Sequence, residues 1–267
     1  MTALTTSDGV RIDYQESGDA TGRPVVLLAG FKAAATTWSA QVPALVQHGY
    51  RVISVDLRGH GAAEHPESGV DMKRRGADLH DLLDALDLTD VALVGGSMGG
   101  NTIWAYIADN GDERLRSVAI VDQTPKMLNT ADWPHGFYGY DESNRDSFFA
   151  ERIPDTGRGT PIWRRGRRLV RLLRAMRGAD HALSTGELAL LHDHAIADWR
   201  PVIAKTTVPT IFIAGADSEF WPSSHAAAAA SLAPRGESSV IRHDGHAANI
   251  EQPRAFNTGL LAFLART

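Results

Sequence analysis

Short apolar runs alternate with amphipathic stretches through the first half of the chain. Val25-Val26-Leu27-Leu28-Ala29, Arg51-Val52-Ile53-Ser54-Val55, Val91-Ala92-Leu93-Val94 and Val118-Ala119-Ile120-Val121 are near-continuous apolar runs. Such runs predict strands buried on both faces rather than a half-solvated sheet. Between them, residues 38–49 place Trp38, Val42, Leu45 and Val46 on one helical face and stop on Gly49. Residues 78–88 carry Leu79, Leu82, Leu83 and Leu86 at helical spacing, and 101–108 predict another helix. Strands alternating with helices predict a mostly parallel sheet covered on both sides, wound by right-handed crossovers. Residues 10–14 read as an edge strand ahead of a turn at Gly18-Asp19.

The pattern breaks after Pro125. Residues 125–205 contain no run that predicts a buried strand. They hold aromatic loops (Trp133, Phe137, Tyr138, Tyr140), then an arginine-rich helix, then a helix near 186–199. Strand signals return at Thr210-Ile211-Phe212-Ile213-Ala214 and Ser239-Val240-Ile241. The alanine run 226–230 suits a helix, and 253–264 predict a closing one. The expected organisation is an α/β core of residues 1–124 and 207–267, with a helical cap, 125–206, inserted after the sixth strand.

Composition narrows the function. With 267 residues, 43% of them hydrophobic, the chain is long enough to bury a large α/β core. A net charge of −5 argues against a surface built for nucleic acid. The absence of cysteine excludes disulfides, thiolate metal sites and a cysteine nucleophile. The first nine residues carry neither a basic nor an apolar leader segment, and no apolar run approaches the roughly 20 residues of a membrane helix. A cytoplasmic protein without membrane insertion is expected.

The chemistry centres on Gly95-Gly96-Ser97-Met98-Gly99, a G-x-S-x-G pattern between a predicted strand and a predicted helix. A sharp strand-to-helix turn strains its central residue, and small residues two before and two after relieve the crowding. The serine oxygen then stands at a helix N-terminus, where developing negative charge is favoured.

With these residues the chain resembles the α/β-hydrolase superfamily, over essentially all of its length outside the insertion. Leu28-Ala29-Gly30-Phe31 resembles that family's H-G-x loop, with Ala29 in place of the customary histidine. Asp56-Leu57-Arg58-Gly59-His60-Gly61 resembles its D-x-R-G-x-G turn. The stretch from His246 to Pro253 resembles the one carrying its catalytic histidine.

A serine needs a base to become a nucleophile. Of eleven histidines, His246 stands out, after the last predicted strand and before the closing helix. His243 is the near rival, His60 reads as a structural turn residue, and His192 and His194 are expected on cap or surface helices. His192 and His194 would face different sides of a helix, so no metal site is expected.

The resemblance puts the acid after the seventh or the sixth strand. Three residues beyond Gly215 stands Ser218, with Asp217 one residue short. After the sixth strand stands Asp122. Asp122 is the favoured acid and Asp217 the alternative. The resemblance also implies an oxyanion hole from the backbone N–H groups of Met98 and Phe31.

The expected reaction is hydrolysis of a carboxylic ester, lactone or thioester of a small to medium apolar substrate through an acyl-enzyme, without a cofactor. Trp133, Phe137, Tyr138, Phe148, Phe149, Trp163 and Trp221 are candidates to line its pocket, although aromatics that merely pack the cap are equally served by this pattern. In the run 163–174 and just beyond it, apolar positions 169, 172, 173 and 176 form one helix face and arginines the other, the pattern of a solvated cap helix.

Two readings compete. Cofactor-free dioxygenases that cleave hydroxyquinolones resemble the same fold and place their acid after the sixth strand. They tend to carry a histidine beside the nucleophile position, where this chain has Gly96 and Met98. A non-enzymatic receptor on the same fold is the other reading.

Overall fold

The computed structural model describes residues 1–175 and 182–267. Its strands are β1 (Thr2–Thr5), β2 (Arg11–Ser17), β3 (Arg23–Leu28), β4 (Tyr50–Asp56), β5 (Val91–Gly96), β6 (Leu115–Val121), β7 (Thr210–Gly215) and β8 (Gly236–Ile241). They form a single sheet in the order β1-β2-β4-β3-β5-β6-β7-β8. The pairs β1–β2 and β2–β4 are antiparallel and the rest are parallel.

The described helices are α1 (Val42–Gln47), α2 (Met72–Ala85), α3 (Met98–Asn110), α4 (Arg167–Ala175), α5 (Thr185–Ile196), α6 (Arg200–Ile203), α7 (Ser224–Ala230), α8 (Ala248–Glu251) and α9 (Pro253–Leu264). Among the described residues, no helix is long and apolar enough to cross a membrane.

Strand alternation explains why the central strands read as unbroken apolar runs. Val26 and Leu28 pack on one face of the sheet with Leu79, Leu82 and Leu83 of α2 and Ile103 and Trp104 of α3. Val25 and Leu27 point to the other face, with Leu45 of α1 and Phe256, Leu260 and Phe263 of α9. Each strand thus feeds two cores, and both faces demand apolar residues.

Several elements differ from the sequence expectation. The predicted edge strand at 10–14 lies inside the sheet, because β1 covers it. With the sequence Thr-Ala-Leu-Thr, β1 is too short and polar to announce itself. The predicted helix at 38–49 is a 3₁₀ turn, Ala35–Trp38, followed by α1, which begins at Val42 with Pro43 in its first turn. Helix α2 starts earlier than predicted, where the Asp71 side chain caps the amide of Arg74.

Between β6 and β7, residues 126–161 are mostly turns and loops, and the helices of this stretch, α4, α5 and α6, come after them. α5 joins the core there: Glu187 pairs with Lys32 at 2.9 Å, and Asp193 accepts from the Met72 amide at the start of α2. In α4 the predicted apolar face is partly covered, with Leu169 and Leu172 half-buried and Arg167, Arg171 and Arg174 exposed. Val170 and Leu173 are exposed, while Arg168 pairs with buried Glu251 at 3.6 Å and donates to the His243 carbonyl, and Arg171 donates to the Glu251 carbonyl. α4 lies against α8, whose Glu251 offers charge to Arg168. Position 176 of that predicted face lies outside the described residues.

Candidate active site

Ser97 stands between β5 and α3 with φ 50° and ψ −130°, a conformation that is strained for a side-chain-bearing residue. Close approach explains the glycines around it. A Cβ at Gly95 would lie 2.5 Å from the backbone of Gly99 and Gly100, and one at Gly99 would strike the carbonyl oxygens of Leu28 and Ala29. The loop after β3 runs alongside, since a Cβ at Gly30 would come within 2.9 Å of the Ser97 Cβ. Among the described residues, neither the Phe31 nor the Met98 amide has a hydrogen-bond partner.

Sheet register carries Ser97 to Asp122. Gly96 pairs with Val121, and the Ser97 amide donates to the Val121 carbonyl at 2.9 Å. Asp122, the next residue, is fully buried with φ 42°. Its Oδ1 accepts from the Gly215 amide at 2.9 Å, and its Oδ2 accepts from the Ser218 hydroxyl at 2.6 Å. His246 Nδ1 lies 2.8 Å from Oδ2, and His225 Nε2 lies 3.5 Å from Oδ1. Burial pushes this carboxyl up, but the hydrogen bonds from His225 and His246 outweigh it and hold the pKa at about 2.

His246 lies in the loop between β8 and α8. Its amide donates to Glu219 Oε2 at 2.9 Å, and Glu219 in turn pairs with Arg165. The rings of Phe220 and Trp221 stand 4.5 and 5.3 Å from its imidazole. Through them the site joins an aromatic cluster: Phe137 stacks on Phe220 at 5.3 Å, with Phe148, Phe149 and Tyr140 beyond. The Ser97 hydroxyl makes no hydrogen bond among the described residues.

The other candidates fall elsewhere. Asp217 is exposed and accepts from the Thr160 hydroxyl at 3.4 Å, away from His246. His243 is exposed at a strand end. His60 is buried between the Arg58 carbonyl and Arg75, and its ring lies 6.1 Å from Phe31; burial and then the Arg75 charge push its pKa well down. His194 is buried rather than on a surface, facing Asn101 at 3.5 Å, with its pKa held at about 3 by burial and then Arg75. Trp163 is 82% exposed, whereas Trp133, Phe137, Phe149 and Trp221 are buried. Among the described residues, no group of three metal-binding side chains is close enough to hold an ion.

Four contacts of the site escaped the sequence reading: Ser218, Glu219, Phe220 and His225. Only Ser218 carries a positional signal, because it stands where the resemblance would put an acid and instead donates to one.

Residues 23–253 match the sequence profile of the family described as alpha/beta hydrolase fold. A non-heme chloroperoxidase of Burkholderia pyrrocinia is 31% identical in an alignment of 253 positions that covers 85% of this chain and 86% of that protein. Other chloroperoxidases match over shorter stretches, and the chain spans about half their length, 46–48%. Among solved structures, a bromoperoxidase from Bacillus anthracis has 28% identity and a TM-score of 0.81, covering 99% of this chain and 100% of that one. A putative aryl esterase from Burkholderia cenocepacia has 26% identity and a TM-score of 0.77, covering 99% and 98%.

Proposed function

The chain belongs to the α/β-hydrolase fold family, and within it we propose that this protein is a serine hydrolase of small to medium apolar carboxylic esters. In this reading residues 1–124 and 207–267 are the catalytic core and 125–206 the cap. The single observation that carries it is the chain of contacts from the Ser97 amide to Val121, and from neighbouring Asp122 to His246 Nδ1 at 2.8 Å.

The chemistry follows from that arrangement. Ser97 Oγ attacks the ester carbonyl carbon as His246 Nε2 takes its proton. With Nδ1 assigned as the protonated nitrogen, His246 donates to Asp122, which holds the ring in the useful tautomer and stabilises the imidazolium. The tetrahedral oxyanion sits against the free amides of Phe31 and Met98; donors of this kind contribute about 3–4 kcal/mol to the transition state. The alcohol leaves with the proton from His246, giving an acyl-Ser97. Water, deprotonated by His246, then releases the acid and regenerates Ser97. Phe220 and Trp221 supply an apolar surface beside the imidazole, and Phe31 packs on the same aromatic cluster, which favours an apolar acyl or aryl group.

A second reading rests on the haloperoxidase relatives. Attack on the acyl-enzyme by hydrogen peroxide in place of water releases a peroxy acid and restores the serine hydroxyl. The peroxy acid then oxidises a halide in solution.

A fluorophosphonate probe, with a panel of esters of varied acyl and alcohol size, tests the main reading. Wild type is labelled and turns esters over, and Ser97→Ala does neither. Full esterase activity in Ser97→Ala overturns it, as does oxygen consumption with a hydroxyquinolone that survives this substitution. Bromination in the presence of acetate, peroxide and bromide, lost in Ser97→Ala, supports the peroxide branch.

A further inference from the structure

A cavity of about 490 Å³ lies between the arginine-rich segment and the loops after β7 and β8. It is lined by Arg158, Arg164, Arg168, Tyr138, Ser218 and His243, and neither Ser97 nor His246 borders it. We propose that this cavity binds a small organic anion, one oxyanion group carried on an apolar body, at a site separate from the nucleophile.

Charge is the first argument. A chain of net charge −5 gathers three guanidiniums around one cavity. Arg168 is already engaged, by Glu251 at 3.6 Å and by the His243 carbonyl. Arg158 and Arg164 have no carboxylate partner among the described residues. One carboxylate, Asp217, stands on the wall, and it already accepts from Thr160. The balance favours an anion, and two planar guanidinium forks match the geometry of an oxyanion.

Preorganisation is the second. Arg158 is held over the Tyr138 ring at 5.0 Å, so its orientation is set before a ligand arrives. Arg164 and Arg168 flank the N-terminus of the nine-residue α4, whose first turn contains no acid. The helix dipole adds positive potential at that point.

Size and lining decide the body of the ligand. The volume is that of a small-molecule site and far exceeds that of an inorganic ion. The wall is mostly polar, with Pro161 and the part of the Tyr138 ring that Arg158 leaves open as its apolar share. Ser218 links the two sites, since it borders the cavity and its hydroxyl donates to Asp122.

Titration calorimetry on the full chain tests this with benzoate, phenyl phosphate and inorganic phosphate. Either organic probe should bind saturably at one per chain and more weakly as salt rises, because exposed charges are screened. The two organic arms tell a carboxylate ligand from a phosphate ester. The Arg158→Ala/Arg164→Ala double variant should bind at least tenfold more weakly. Both arginines are exposed, and an unchanged melting temperature verifies the fold. Asp217→Asn should tighten binding severalfold, a gain that misfolding does not produce. Ser97→Ala should bind as wild type does, so this result is independent of whether Ser97 is a nucleophile. Absence of saturable binding to both organic probes at millimolar concentration, unchanged affinity in the double variant, or inorganic phosphate binding as tightly as the organic probes would overturn the proposal.

Discussion

His246 Nδ1 lies 2.8 Å from Asp122 Oδ2, although 124 positions separate them in the chain. Asp122 reaches that spot because β6 ends beside the elbow, while Asp217, after β7, is turned to solvent. Asp122→Asn should therefore lower kcat on the order of 10³–10⁴-fold with little change in KM, since the wrong imidazole tautomer is then favoured. Asp217→Asn should keep ester turnover near wild type. Steady-state kinetics on the two variants separate the candidates, and the opposite ranking would reject Asp122 as the acid. With its pKa at about 2, Asp122 should contribute no inflection to the pH–rate profile above pH 4.

Ser218 occupies the position where the resemblance would set an acid, and donates to Asp122 at 2.6 Å. A hydrogen bond to an ionised acceptor contributes about 1.5–3 kcal/mol. Only the share that differs between ground state and transition state reaches kcat. Ser218→Ala should lower kcat on the order of tenfold, far less than Asp122→Asn, because the Gly215 amide and His225 still face the carboxylate. Equal losses in the two variants would mean that Ser218, rather than Asp122, orients the imidazole.

The legible parts of the molecule were those encoded locally. Strands buried on both faces need apolar residues at every position, so β3, β4, β5 and β6 announced themselves, and the elbow announced its glycines. Asp122 and His246 were legible because each follows a strand whose end lies at the same sheet edge. Glu219, Phe220 and His225 were not, because each meets the site only through tertiary contact, and nothing in its neighbours marks it. Helix α4 was legible in part: Leu169 and Leu172 of its apolar face are half-buried, but Leu173 is exposed, and Glu251 and the His243 carbonyl, far along the chain, draw Arg168 inward.

The elbow glycines carry a stability prediction. At Gly99 a methyl group would meet carbonyl oxygens of Leu28 and Ala29, which belong to the backbone and cannot rotate away. Gly99→Ala should destabilise the fold by about 3 kcal/mol, the upper end of ordinary overpacking. Gly259, inside α9, has open space where its Cβ would be. Gly259→Ala should stabilise by about 0.5–1 kcal/mol, the helix preference for alanine. Urea denaturation of both variants gives the comparison. Equal effects at the two sites would contradict the close approach at the elbow.

Asp244, two residues before His246, supplies a pH-dependent prediction. It is fully buried, and among the described residues neither of its carboxyl oxygens has a hydrogen-bond partner. Burial, then the charges of Glu251 and Asp122, push its pKa up to about 8. The folded state therefore keeps a proton that the unfolded chain releases near its ordinary value of 3.8. Between those limits the native state binds more protons than the unfolded one, so stability falls as pH rises, and it levels off above pH 8. Asp244→Asn removes this dependence. The variant should match wild type near pH 4, pull ahead through neutrality, and lead by a few kcal/mol at pH 8.5. Urea midpoints at pH 4.5, 7 and 8.5 give the trend. A difference independent of pH would show that Asp244 is not held protonated beside the His246 loop.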